Sequence, residues 1–298
     1  MNEPETSSII PHIVIQVKTF KSIFEWYNHF MSYLSIDIGG TKTLIACMSD
    51  KGRLSRRDKF STPTGLRDFL NTLFTHLKQF HNVSPECIVV AIPGVVKNNI
   101  PESFGNRPSW HNPPIENVIK KLFSCPVYFE NDASLGAVYE SKFYSGKTIY
   151  LTFSTGIGGG IAEKTKLIEP NSSNFEPGHR FYTYEGQKLE WEDIASCKAL
   201  EAHYGVIATS IRGKAKYQDI AARICLGLVD IIKDERPDTI VIGGPLALRF
   251  RHYSRFLKQL LKAELSDTKL PRIRPAKSPK EAVTHGMHLY AKEKSRGV

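Results

Sequence analysis

An internally duplicated α/β fold, its two halves facing a cleft, is the class this sequence predicts. Two observations carry it. A strand, a glycine turn and a returning strand near residue 37 recur near residue 155, and each copy is followed by further strands and helices. At 298 residues the chain has room for two domains of ordinary size.

The elements are read in order. Residues 1–30 form an appendage, polar up to Pro11 and then with Phe20, Phe24 and Tyr27 at helical spacing. Either a short helix packs on the body, or the protein proper begins at Met31. Tyr33–Ile38 is a strand running into glycines, Leu44–Ser49 its hairpin partner, and Asp50-Lys51-Gly52 a turn. Leu66, Phe69, Leu70, Leu73, Phe74 and Leu77 give a helix over 66–80. Cys87–Ile92 reads as a buried strand, 115–123 as a helix, Val127–Glu130 as a strand and 133–144 as a helix. The second half opens with a strand at 148–154, a glycine turn at 155–160 and a return strand at 161–163. A long helix at 217–233, a strand at 239–242 and helices at 251–265 and 281–294 complete it.

Composition narrows the class. The hydrophobic share of 41% and charged share of 23% belong to a soluble globular chain, and no apolar run is long enough to span a bilayer. No basic stretch leads into an apolar core at the N-terminus, so a secretory signal is not expected and the cytoplasm is. The five cysteines, at 47, 87, 125, 197 and 225, form no C-x-x-C pair, which fits a reducing compartment. The net charge of +10 is spread along the chain without a nucleic-acid-binding signature, so neither nucleic acid nor membrane is an expected partner.

Chemistry concentrates at the glycine turns. In "SIDIGGTKT", Gly39 and Gly40 let backbone N–H groups approach an anion, Thr41 adds a hydroxyl and Lys42 a cation. Asp37 at the strand end could hold the waters of a Mg²⁺ ion. "STGIGGGI" supplies a second turn, with Thr155, Gly156 and Gly158, that forms the other jaw of a phosphate clamp. "IVIGGPL" ends a buried strand in Gly243-Gly244, flat enough to lie under a nucleotide. In "FENDAS", Asp132 either caps a helix or accepts a proton from a substrate hydroxyl.

These motifs, in this order, resemble the ROK family of repressors and sugar kinases over residues 31–293. Asp37 to Lys42 is similar to its first phosphate motif, and Thr155 to Gly160 to its second. Ile92-Pro93-Gly94-Val95-Val96 is similar to its A-x-P-G-x-V element, Asn106 to Trp110 to its sugar loop, Glu130-Asn131-Asp132-Ala133 to its catalytic E-N-D-A, and Glu176-Pro177-Gly178-His179 to E-x-G-H. The resemblance implies two actin-like (ribonuclease H-like) ATPase domains with an interdomain cleft. It divides the chain into 31–134 plus 281–298 and 135–280, with hinges near 134–146 and 278–284. It implies ATP and Mg²⁺ as cofactors, a hexose as substrate, and glucokinase-like transfer to a hydroxyl. It makes Asp132 the base, and Asn106, Asn131, Asp132, Glu176, His179 and Glu192 the sugar-contacting set. A homodimer stays open, as does polyphosphate as donor. So do a sugar-sensing regulator and a non-catalytic binding protein, although residues 1–30 are short for a helix-turn-helix.

The chain departs from the family at one place. Where the family carries zinc-binding cysteines after E-x-G-H, residues 184–192 hold no thiol. Structural zinc sites favour Cys and His, so no structural zinc is expected, and Trp191 is expected to hold the loop by packing instead. His179 is then free to bond the sugar or brace Glu176. Trp110 either covers a sugar face or anchors its loop.

Overall fold

Strand β1 (Ser32–Ile38) alternates between two buried faces: Leu34, Ile36 and Ile38 enter one apolar cluster and Tyr33 another. The computed structural model describes residues 32–105, 107–171 and 175–296. The expected extension at 1–30, with Phe20, Phe24 and Tyr27, lies outside the described residues, as does Asn106.

β1 turns back into β2 (Lys42–Ser49), and β2 into β3 (Leu54–Ser61), both antiparallel. Helix α1 (Leu66–Leu77) buries Phe69, Leu73 and Leu77 and leads to β4 (Cys87–Ile92), all six residues of which are buried. A small hairpin, β5 (Val96–Lys97) and β6 (Ile100–Pro101), and helix α2 (Ile115–Lys120) precede β7 (Val127–Asn131). The sheet order is β3-β2-β1-β4-β7, with β4 parallel to both β1 and β7.

Helix α3 (Asp132–Ser141) passes to the second half. There β8 (Thr148–Phe153), β9 (Ile157–Glu163) and β10 (Lys166–Leu167) form the antiparallel part of the second sheet. The hairpin β11 (Phe181–Tyr184) and β12 (Gln187–Glu190), then helices α4 (Trp191–Ala195), α5 (Cys197–Tyr204) and α6 (Lys214–Glu235), precede β13 (Thr239–Gly243). Helix α7 (Phe250–Glu264), β14 (Arg272–Pro275) and helix α8 (Ala282–Arg296) end the described chain. The order β10-β9-β8-β13-β14 repeats the first sheet strand for strand, with β13 parallel to β8 and β14. The duplication expected from two glycine turns is thus a duplication of whole sheets.

Two helices fill the space between the sheets. Leu135 of α3 joins Met287 and Ala291 of α8 against Val89 and Ala91 of β4. Ala133 and Ala137 of α3 pack against Tyr150, Ala162 and Val241 of the second sheet. Three glycines set the spacing. A Cβ on Gly160 would overlap the α3 backbone at Ser134, one on Gly286 the carbonyl of Leu135, and one on Gly136 the ring of Tyr150.

Some boundaries differ from expectation. The run Gly158-Gly159-Gly160, expected in a turn, lies inside β9, because its glycines serve close packing on α3 and on Phe175 and Pro177. The turn proper is only 154–156. Strand β3 was not expected: its sequence LSRRDKFS is an exposed, charged edge without apolar alternation. The β11–β12 hairpin was missed as well, although Glu185-Gly186, both at positive φ (50° and 77°), is a two-residue hairpin turn.

Gly286→Ala would drive a methyl group into a backbone carbonyl that cannot swing aside. It is expected to destabilise the protein by about 1–3 kcal/mol, read as a lower urea midpoint. An unchanged midpoint would contradict the contact.

Candidate active site

The ends of the parallel strands β1 and β7 and the start of β9 meet, and Asp37, Asp132 and Glu176 lie close enough there to act on one another. This is where open α/β sheets bind ligands.

The first glycine turn is held by its carbonyls. Thr62 Oγ1 donates to Gly39 O at 2.8 Å and shares a 2.9 Å bond with Thr43 Oγ1. The Thr62 N–H donates to Thr41 O at 3.0 Å, and Arg107 Nη2 to Gly40 O at 2.6 Å. The N–H groups of Gly40 and Thr41 meet no acceptor among the described residues, which leaves them for an anion. Arg107 escaped sequence reasoning, although it stands beside Asn106 in the expected sugar loop. Trp110 is 1% exposed, packs on Phe69 and Phe104, and donates from Nε1 to Thr64 O at 3.2 Å. Of the two roles open to it, it anchors the loop.

Asp132 begins α3, and Asn131 is its cap. Asn131 Oδ1 accepts from the N–H groups of Ala133 (2.9 Å) and Ser134 (3.0 Å), while Nδ2 donates to Gly94 O at 3.0 Å. The capping role open to Asp132 from sequence therefore falls to its neighbour. Asp132 Oδ1 takes a 2.7 Å bond from the Ala133 N–H. Burial, then the charges of Asp37 and Glu176, push the Asp132 carboxyl up to about 7. Burial pushes Asp37 up to about 6, with Lys59 opposing. Burial also raises Glu176; nearby His179 lowers it and Glu192 adds to the rise. Three carboxyls thus share one weakly solvated, electronegative pocket.

The second glycine turn joins the same pocket. Ser154 N–H donates to Gly156 O at 2.9 Å. Glu192 Oε2 accepts from the Ile157 N–H at 3.2 Å and sits where a Cβ on Gly156 would stand, so Glu192 ties the expected sugar loop to the expected phosphate turn. Gly158 lies 3.3 Å, at its would-be Cβ, from the Ala133 side chain next to Asp132. Thr155 and Lys42 are exposed at the two turns. Gly244 takes φ +68° against the Phe153 carbonyl, whereas Gly243 is buried and makes room for the Tyr150 hydroxyl. Packing is thus reason enough for the glycine at 243.

His179 bonds through Nδ1 to Glu190 Oε2 at 2.9 Å, not to Glu176, and this bond raises its pKa. Glu190 is outside the expected sugar-contacting set; the register Phe181↔Glu190 delivers it to His179. One ligand atom from each of His179, Glu190 and Glu192 lies within 4.8 Å of the others. Behind them Trp191 is fully buried, edge-on to Phe153, donating from Nε1 to Arg223 O at 2.9 Å and lying where Gly227 has no side chain. The loop is held as expected, by an aromatic ring.

The chain is similar to known proteins over most of its length. A family model described as the ROK family matches residues 33–294. A fructokinase of Lactococcus lactis subsp. cremoris is 25% identical over 248 residues, 77% of this chain and 84% of that one. A xylose repressor of Bacillus spizizenii is 29% identical over 177 residues, 54% of this chain and 44% of the repressor. The crystal structure of a ROK hexokinase from Thermus thermophilus superposes with a TM-score of 0.70 at 25% identity, covering 90% of this chain and all of that one. A ROK family glucokinase from Streptomyces griseus, in complex with glucose and AMPPNP, gives 0.70 at 19% identity over 88% of this chain and 99% of that one.

Trp191→Ala is expected to destabilise the protein by about 3–5 kcal/mol, with protease cleavage appearing first in the 175–196 loop. Trp191→Phe, keeping most of the ring, should recover most of the loss. A thermal melt unchanged in the alanine variant would contradict the anchoring role.

Proposed function

Because the chain belongs to the ROK family, we propose that it is an ATP-dependent sugar kinase, glucokinase-like, placing the γ-phosphoryl group on a hexose hydroxyl to give a sugar 6-phosphate. The observation that carries this reading is the placement of Asp132: a buried carboxyl at the first turn of α3, between the two glycine turns, which burial and the Asp37 charge push up to about 7. An ordinary carboxylate would hold a sugar hydroxyl but have little appetite for its proton. One poised near neutrality takes it as the oxygen attacks phosphorus.

The remaining residues position and neutralise. The N–H groups of the first turn, with Thr41 and Lys42, receive phosphate oxygens from one side, and Thr155 and Gly156 from the other. Gly244 lies under the nucleoside. Asn106, Asn131, Glu176, His179 and Glu192 offer the paired donors and acceptors that a hexose requires, and an unmatched hydroxyl there is costly. Among the Asn131 polar atoms, only Nδ2 keeps a spare hydrogen for the sugar. Two buried oxygen donors, Asp37 and Asp132, each raised first of all by burial, fit a hard divalent ion. Asp37 would hold Mg²⁺ through water, and the ion would neutralise the transferring phosphoryl group. We divide the chain into lobes 31–134 plus 281–298 and 135–280, closing over the sugar to exclude water. No helix among the described residues is long and apolar enough to cross a membrane, and we place the enzyme in the cytoplasm.

No structural zinc is part of this reading, because the loop that would need it already has Trp191. The His179–Glu190–Glu192 group offers one nitrogen and two carboxylates, poor chemistry for structural zinc. Metal analysis of chelator-free protein should find no stoichiometric zinc, and EDTA should leave the melting temperature unchanged. Zinc at one per chain would overturn this.

Release of ADP, followed with glucose, fructose, mannose and N-acetylated hexosamines, tests the activity. No turnover on any of them by folded protein would remove it, and salt-dependent DNA binding would favour the regulator. Asp132→Asn should lower kcat by about 10²–10⁴-fold while sugar affinity changes little. In the wild type the rate should rise with pH through about 7, as Asp132 ionises. Stability carries the opposite sign. The unfolded Asp132 loses its proton near about pH 4, the folded one near 7, so its share of stability declines as pH rises through that window. The Asn variant should therefore lose less stability than wild type between pH 4.5 and 7.5, a readout independent of activity.

A further inference from the structure

The end of both sheets opposite the candidate active site carries a cavity of ≈ 940 Å³. Its position follows from strand direction. β1 and β2 bring the 50–52 turn to the end of the first sheet remote from Asp37, since Ser32 pairs with Ser49. β8 and β9 carry Thr165 and Lys166 to the matching end of the second sheet, since Thr148 pairs with Ala162. Tyr139 and Lys142 stand toward the far end of α3 from Asp132, about 10 and about 15 Å away along the helix. The cavity is therefore lined by both halves of the molecule, behind the candidate active site rather than in it.

Its floor is built. His288 Nε2 meets the carbonyls of Ser49 (3.0 Å) and Asp50 (3.1 Å), and Lys292 Nζ bridges Asp50 Oδ1 (2.8 Å) and Asp50 O (2.9 Å). These bonds fasten α8 to the hairpin turn. They also use up Asp50, whose carboxyl Lys292 holds below its ordinary value. One wall is aromatic: the Tyr139 ring stacks on His285, centroids 4.9 Å apart and planes 24° from parallel. Five cationic side chains line the cavity against two carboxylates. Lys51, Lys142, Lys166 and Arg296 have no ion-pair partner among the described residues, and Glu293 is the one lining acid outside the Asp50–Lys292 pair.

Surplus cations are ordinarily scattered over a surface, where each is solvated separately. Here four converge on one concave space from a turn, two helices and a hairpin of the other half. We propose that this rear cavity is a binding site for a phosphorylated small molecule, a sugar phosphate or nucleotide in size, distinct from the candidate active site. Lys51, Lys142, Lys166 and Arg296 neutralise its phosphoryl oxygens, and the Tyr139–His285 stack faces its organic part. The concavity and the volume favour a small ligand over a nucleic acid, which needs an extended basic surface.

Inorganic pyrophosphate is the probe. Full-length protein is titrated calorimetrically with pyrophosphate, alone and with a non-hydrolysable ATP analogue saturating the front, and the titration is repeated on Lys142→Ala/Lys166→Ala and Lys42→Ala. One pyrophosphate should bind with the analogue present, and equally well to Lys42→Ala. The rear double variant should bind about tenfold more weakly or worse, because two charges facing the anion are lost. Both lysines removed are at the surface, and matched melting temperatures will establish that the variant is folded. Binding undiminished in the double variant, or abolished by the analogue or by Lys42→Ala, overturns the site. So does the absence of any binding to the wild type. Because the rear variant is compared with wild type directly, the outcome stands whether or not the protein proves to be a kinase.

Discussion

Helix α3 meets β9 of the second sheet and helix α8 at backbone distance, and the position of Asp132 depends on that closeness. On one side Leu135 meets the first-sheet cluster and the glycine of α8. On the other, Gly160 lets β9 approach the first turn of the helix, and Gly136 receives the Tyr150 ring. A helix clamped in this way has no room to roll. Its N-terminal carboxyl is therefore presented at a fixed place between the two glycine turns, each belonging to a different sheet.

The electrostatics of the pocket follow from the same packing. Bringing two strand ends and a helix start together encloses Asp37, Asp132 and Glu176 in one poorly solvated space, and each carboxyl resists ionisation. That strain opposes folding as pH rises. Perturbed carboxyls gathered in a cleft in this way are a mark of functional sites.

The sequence was most legible where a motif and its fold coincide. Asp37 to Lys42, Glu130 to Ala133 and Thr155-Gly156 each sit at a strand end, so the recurrence of strand and glycine turn indicated a duplicated α/β fold. It was least legible where tertiary contact overrules local pattern. Gly158 to Gly160 read as a turn but lie in a strand, because a neighbouring helix, not the chain itself, requires their flatness. Strand β3 is charged and exposed, and carries no apolar period to detect. Glu190 became visible only through the register of β11 with β12, and the roles of Asn131 and Arg107 depend on partners distant in sequence. Asp132 could be read as cap or base; the bonds of Asn131 decided the first of these.

The ring of Trp191, closed over by Phe153 and Gly227 and tied to the Arg223 carbonyl, has a consequence for how the protein is made. An anchor of sulfur and metal must be loaded after synthesis, competes for its ion with other proteins, and is undone by oxidants that attack thiolates. An indole is translated with the chain and is in place once the core has formed. On the zinc-free reading proposed above, the loop between residues 175 and 196 depends on core packing rather than on trace-metal supply.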